Sequence, residues 1–212
     1  MRADSIIFDL DGTLWDSCEE VANSWSKTLK ERFPDIDRTI TYQDIKGIMG
    51  MVVEEIAVSL FPNIEKSRAL EITNTMCEEE CSYLASSGGK LYEGLEDVLK
   101  ILSKQYPLFI VSNCQCGYIE SFLQYHKLGT YFQGFLCSGQ TGKKKGENIK
   151  LLMKTYGLKQ PIYIGDTHMD YEATKQANIP FIYAAYGFGT VSDDLPALSD
   201  IRKLPAYMEC NK

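Results

Sequence analysis

The stretch SIIFDLDGTLWDS, residues 5–17, decides how the chain is read. Ile6, Ile7 and Phe8 form a short apolar run of the kind that makes a buried strand. It ends on Asp9, with Asp11 two positions on. Residues i and i+2 of an extended chain point to the same side, roughly 6–7 Å apart. Two carboxylates so placed address one small object together, and their mutual repulsion requires compensation. Gly12 and Thr13 follow as a turn.

Working outward, further strands are predicted near 107–112 (PLFIVS), 134–137 (GFLC), 161–165 (PIYIG) and 180–184 (PFIYA). Helices are predicted between them, over about 95–105, 116–127, 147–157 and 169–178. Leu95, Val98, Leu99 and Leu102 keep the 3.6-residue spacing of an amphipathic helix. Strands that are apolar throughout and alternate with helices make a parallel sheet covered on both faces. The fold class is therefore α/β, a doubly wound, Rossmann-like core. Residues 17–86 break the alternation, reading as helices over about 17–33, 42–49, 51–61 and 65–86. The chain accordingly divides into a core, 1–15 and 87–212, and a helical cap, 16–86, expected to bury a small core of its own.

The 212 residues carry a formal net charge of −7. Residues 16–86 hold 14 acidic and 7 basic side chains, and the remainder 15 of each, so the whole excess belongs to the insert. The one dense basic run is Lys143, Lys144 and Lys145, which is no basic face, and nucleic acid is not an expected partner. No apolar run approaches the roughly 20 residues of a membrane helix. The start, MRADSIIFDL, is broken by Asp9 and is not read as a signal peptide. A cytoplasmic protein, monomer or homodimer, is the expectation. The seven cysteines are read as free thiols, and Cys114 as a small buried side chain rather than a reactive one.

In a doubly wound sheet, ligands bind beyond the carboxyl ends of the strands. The polar residues at those ends are Asp9 and Asp11 after the first strand, Ser112 and Asn113 after the second, and Gly165-Asp166-Thr167 after PIYIG. Asp170 lies one helical turn beyond Asp166. Such a gathering of carboxylates either keeps protons or holds a cation. Hard oxygen donors in this number suit Mg²⁺, and carboxylates, Mg²⁺ and a lysine together neutralise a phosphoryl group during transfer.

These residues carry a resemblance to the haloacid dehalogenase superfamily of phosphohydrolases. Its motifs run in order: D-x-D-G-T (Asp9 to Thr13), a strand-ending hydroxyl (Ser112), a loop lysine before a helix (within KKKGEN), and G-D-x-x-x-D (Gly165, Asp166, Asp170). The resemblance implies that Asp9 attacks phosphorus, forming an aspartyl-phosphate, and that Asp11 acts as general acid and then base. It implies catalytic roles for Ser112 and Lys145, and substrate binding by Thr13, Ser112, Asn113 and Lys145. It implies a Mg²⁺ site from Asp9, Asp11 (through its carbonyl), Asp166 and Asp170. Of the three lysines, Lys145 is favoured over Lys143 because it adjoins GENIKLL. Gly146 and Glu93 stand where related sequences often have proline.

The insert resembles the helical cap of phosphoglycolate-phosphatase-like members, which selects the leaving group. The implied activity is hydrolysis of a small-molecule phosphate ester. A sugar phosphomutase of the β-phosphoglucomutase type shares the cap and nucleophile, but carries Glu-Asp where this chain has Gly165-Asp166. A catalytically silent binding module is the third reading, and four intact motifs weigh against it.

Overall fold

The computed structural model describes residues 3–191 and 194–210. Its strands are β1 (Ser5–Phe8), β2 (Trp15–Asp16), β3 (Lys90–Leu91), β4 (Leu108–Ser112), β5 (Phe132–Cys137), β6 (Pro161–Gly165), β7 (Phe181–Ala184) and β8 (Ala197–Leu198). Its helices are α1 (Cys18–Arg32), α2 (Tyr42–Ile48), α3 (Val53–Leu60), α4 (Lys66–Ser87), α5 (Leu95–Leu102), α6 (Tyr118–His126), α7 (Ser138–Thr141), α8 (Lys145–Tyr156), α9 (His168–Ala177) and α10 (Leu204–Cys210).

The main sheet has the order β5-β4-β1-β6-β7-β8 with every pairing parallel. From β1 the chain builds outward through β4 and β5, then returns to the opposite edge of β1 with β6. The order therefore reverses about β1, and a crevice opens there at the carboxyl ends. Side chains alternate as a strand requires. Ile6 and Phe8 face an apolar cluster that includes Leu99 of α5 and Phe122 of α6. Ile7 faces the other side, with Ile149 and Leu152 of α8 and Ala173 of α9. Both faces are covered, which is why the strands read as unbroken apolar runs.

Between Asp16 and Lys90 the chain makes four helices, α1 to α4. It leaves and re-enters the core through β2 and β3, a two-stranded antiparallel ribbon pairing Trp15 with Leu91 and Asp16 with Lys90. The expectation that these helices bury a core of their own is corrected. Their buried residues, such as Val21, Trp25, Ile72 and Met76, join the cluster on one sheet face. The link is physical: α4 packs along α6, and the fully buried Trp15 packs on α6. The Trp15 ring meets Tyr118, Phe122 and His126 edge-on, with centroids 5.7, 5.0 and 5.7 Å away.

Among the described residues, no helix is long and apolar enough to cross a membrane. Trp15→Ala is expected to cost about 3–5 kcal/mol, because it empties the junction between sheet, α6 and ribbon. Denaturant unfolding checks this through a lower midpoint at unchanged slope.

Candidate active site

Asp9 is the first residue past β1, and its amide donates to the carbonyl of Ile164 on β6 at 2.8 Å. Its carboxylate is 3% exposed. Lys145 Nζ donates to Asp9 Oδ1 at 2.8 Å and to Asp170 Oδ1 at 2.6 Å, with the ammonium itself 4% exposed. Of the KKK run, Lys145 alone enters the crevice; Lys143 and Lys144 are exposed. Lys145 opens α8 rather than preceding it. Gly146 beside it has a steric reason: a Cβ there would displace the end of Gln176 and lie 3.1 Å from the Ala173 carbonyl, so glycine eases the approach of α8 to α9.

Asp170 is fixed by a capping box. Thr167 is the N-cap of α9, and its hydroxyl accepts from the Asp170 amide at 3.2 Å. The Thr167 amide and hydroxyl donate back to Asp170 Oδ2 at 3.0 and 2.6 Å. The T-x-x-D spacing thus caps the helix and aims the other oxygen of Asp170 at Lys145. Asp166 is fully buried, and its Oδ2 accepts from the amides of Phe188 and Gly189 at 2.7 and 3.2 Å. The loop YGFGT, residues 186–190, therefore serves to orient Asp166. Thr13, expected to bind substrate, is fully buried and donates to Asp166 Oδ1 at 3.4 Å. Gly12 has φ +77°, and a Cβ there would lie 2.2 Å from Asp166 Oδ2.

Asp9, Asp166 and Asp170 each offer one oxygen, all within 4.8 Å of one another. Three carboxylates against one ammonium leave two negative charges uncompensated. Burial first, then the charge of Asp170, pushes Asp9 well above the usual carboxylate range, with Lys145 opposing. The same two causes push Asp166 up to about 7. Burial alone depresses Lys145, but Asp170 and Asp9 outweigh it and keep it charged. A buried, all-oxygen donor set short by two positive charges fits one Mg²⁺. Asp9 Oδ2 accepts no hydrogen bond among the described residues, whereas both oxygens of Asp170 are engaged.

Asp11 turns away from this trio. Trp15 Nε1, Ser17 Oγ and Tyr118 OH donate to its Oδ1 at 2.9, 2.7 and 2.8 Å. Burial nevertheless raises its carboxyl above the ordinary value. Its side chain is not one of the three clustered carboxylates. Ser112 is 4% exposed at the end of β4 and accepts from the Cys114 amide at 3.4 Å. The Asn113 side chain donates to the carbonyl of Gly50 at 2.8 Å and accepts from Ser138 at 3.1 Å. It thereby ties the helical insert to the core. Burial and the Cys137 contact push the Cys114 thiol well up, in keeping with an unreactive side chain.

Asp9, Asp11 and Ser112 open onto a cavity of about 60 Å³ roofed by the helical insert. Val21, Ile45, Ile48, Met51 and Ile56 form apolar walls, and Trp25 and Tyr118 add aromatic ones. Glu80 of α4 also lines it and is 2% exposed. Its carboxyl accepts from Trp25 Nε1 and, at 2.8 Å, from Gln115 Nε2. Ser17, Tyr118 and Glu80 were not among the residues the sequence singles out. Glu80 did leave a trace: with Thr73, Met76, Cys77 and Leu84 it keeps the spacing of one buried helical face.

Residues 6–184 match the family described as haloacid dehalogenase-like hydrolase. This chain belongs to that family. It is 26% identical to a phosphoglycolate phosphatase of Pseudomonas fluorescens, over 91% of this chain and 74% of that protein. It is 28% identical to the pyrophosphatase PpaX of Listeria welshimeri, over 82% of this chain and 79% of that one. A haloacid dehalogenase-like hydrolase from Streptococcus pneumoniae superposes with a TM-score of 0.80 at 25% identity, covering 97% of this chain and 98% of that one.

Burial pushes the Glu80 carboxyl up to about 8 from an ordinary 4.5, with Trp25 and Gln115 opposing it and Asp11 adding to it. Between those values the native state holds a proton that the unfolded chain has released. Stability therefore falls as pH rises through that window, by up to about 1.4 kcal/mol per pH unit. In Glu80→Gln the Gln115 amide flips to keep both hydrogen bonds. The variant is expected to gain stability relative to the parent as pH goes from 5 to 8, read from paired melting curves.

Proposed function

We propose that this hydrolase is a Mg²⁺-dependent phosphatase of small phosphate monoesters, with Asp9 as nucleophile and Asp11 as general acid and base. The reading rests on one contrast. Asp9 has one oxygen fixed by Lys145 and the other free of hydrogen bonds among the described residues, while Trp15, Ser17 and Tyr118 all donate to a single oxygen of Asp11, which holds that carboxyl in place beside the cavity. One carboxylate is prepared to attack and its neighbour to carry a proton, the division of roles that two nearby acids need.

In the first step Asp9 Oδ2 bonds to phosphorus, the ester P–O bond breaks, and Asp11 gives its proton to the departing oxygen. In the second, Asp11 takes a proton from water, whose oxygen displaces Asp9 from phosphorus and releases phosphate. Lys145 holds Asp9 in line, and Ser112 hydrogen-bonds a phosphoryl oxygen. Asp166, Asp9 and the Asp11 carbonyl would hold the metal, with Asp170 behind them positioning Lys145. When bound, Mg²⁺ neutralises charge on the phosphoryl oxygens. Residues 16–86 act as a cap that excludes water and selects the leaving group. The phosphoglycolate phosphatase and pyrophosphatase names of the relatives support phosphate chemistry.

Phosphate release from p-nitrophenyl phosphate is expected with Mg²⁺ and not after chelation by EDTA. Asp9→Asn is expected to lose at least about 10³-fold in kcat, and Asp11→Asn about 10²–10⁴-fold. Parental turnover in Asp9→Asn would refute the mechanism.

A further inference from the structure

The cavity over Asp9 is lined by the carboxyl groups of Asp11 and Glu80, yet no lysine or arginine lines it among the described residues. Lys143 and Lys144 line an adjoining open groove of about 650 Å³, which shares Cys77, Asn113 and Gln115 with the cavity wall, and neither bonds Glu80. The two partners of Glu80, Trp25 and Gln115, are neutral. A buried carboxylate without a counter-charge is costly, and here the carboxyl forms part of the wall that a leaving group must touch. Trp25 and Tyr118 line the same space, and aromatic rings are the side chains that take up quaternary ammonium groups.

We propose that the leaving group is a small amino alcohol whose cationic end lies against Glu80, with Trp25 and Tyr118 in the same wall. This deepens the phosphatase reading and rests on it. An anionic leaving group, such as the glycolate suggested by the names of the relatives, meets two carboxyl groups and no cation there. Burial by itself keeps a proton on Glu80; a cation against it favours the ionised form, whereas an anion finds no counter-charge in that wall. The chemistry is unchanged: one water is consumed, the ester P–O bond breaks, and the amino alcohol departs with the proton from Asp11. Glu80 is a specificity residue that supplies the counter-charge to the departing group.

The test compares kcat/KM, with Mg²⁺, for phosphocholine and phosphoethanolamine against 3,3-dimethylbutyl phosphate, the uncharged carbon isostere of phosphocholine. Phosphoglycolate and p-nitrophenyl phosphate complete the set. At least one amino-alcohol ester is expected to exceed the neutral isostere by about tenfold to a hundredfold, with phosphoglycolate lowest. In Glu80→Gln that ratio is expected to fall close to one. A ratio taken within one protein is unaffected by the fraction folded.

Choline itself, titrated calorimetrically, gives a readout independent of turnover. It is expected to bind the parent and to weaken about tenfold or more in the variant. Equal turnover of charged and neutral esters, or preference for phosphoglycolate, overturns the inference. In either case, release from the aryl ester leaves the phosphatase reading standing. Release from none of the five esters overturns both.

Discussion

The buried ammonium of Lys145 is the constraint around which the crevice is arranged. A charge out of water is tolerated only when it is paired and hydrogen-bonded, and this one has Asp9 and Asp170 at 2.8 and 2.6 Å. The pair fixes three elements at one point: the end of β1, the start of α8 and the first turn of α9. Gly146 permits the approach of the two helices, and the Thr167 box aims Asp170. Without the ammonium, two buried carboxylates would face one another and the crevice would have to open or take up protons.

Much of this was legible because strand-end chemistry is local. Asp9, Ser112, Lys145, Asp166 and Asp170 each stand where an apolar run ends or a helix begins, and the reversal of strand order about β1 brings those ends together. The parallel sheet was legible for the same reason: strands covered on both faces have no polar alternation to hide them. What the sequence withheld was long-range. Tyr118 is 107 positions from the carboxylate it holds, and nothing distinguishes it from the other tyrosines. Glu80 ends a run of three glutamates that suggests a solvated face, and only the spacing of its helical neighbours turns it inward. The ribbon of β2 and β3 is too short to leave a periodic signal.

The separate core expected for the insert failed on one residue above all. In the sequence Trp15 is one more apolar residue after the turn. Its ring instead fills the junction with α6, while its Nε1 donates to Asp11. One side chain therefore packs against α6, which α4 also covers, and orients a catalytic candidate. Asn113 makes a comparable link from the other side, reaching from the end of β4 to Gly50 in the insert. Packing and polar geometry in this molecule are not separable layers.

The ribbon has a topological consequence. Because Asp16 pairs with Lys90, everything between them is closed by a single strand pairing, as a tight turn would be. The entropy of closing a loop grows only with the logarithm of its length. The entropic cost of closing the seam is thus almost insensitive to how much chain is spliced in there, and what ties the insert's length to the core is the packing of α4 on α6.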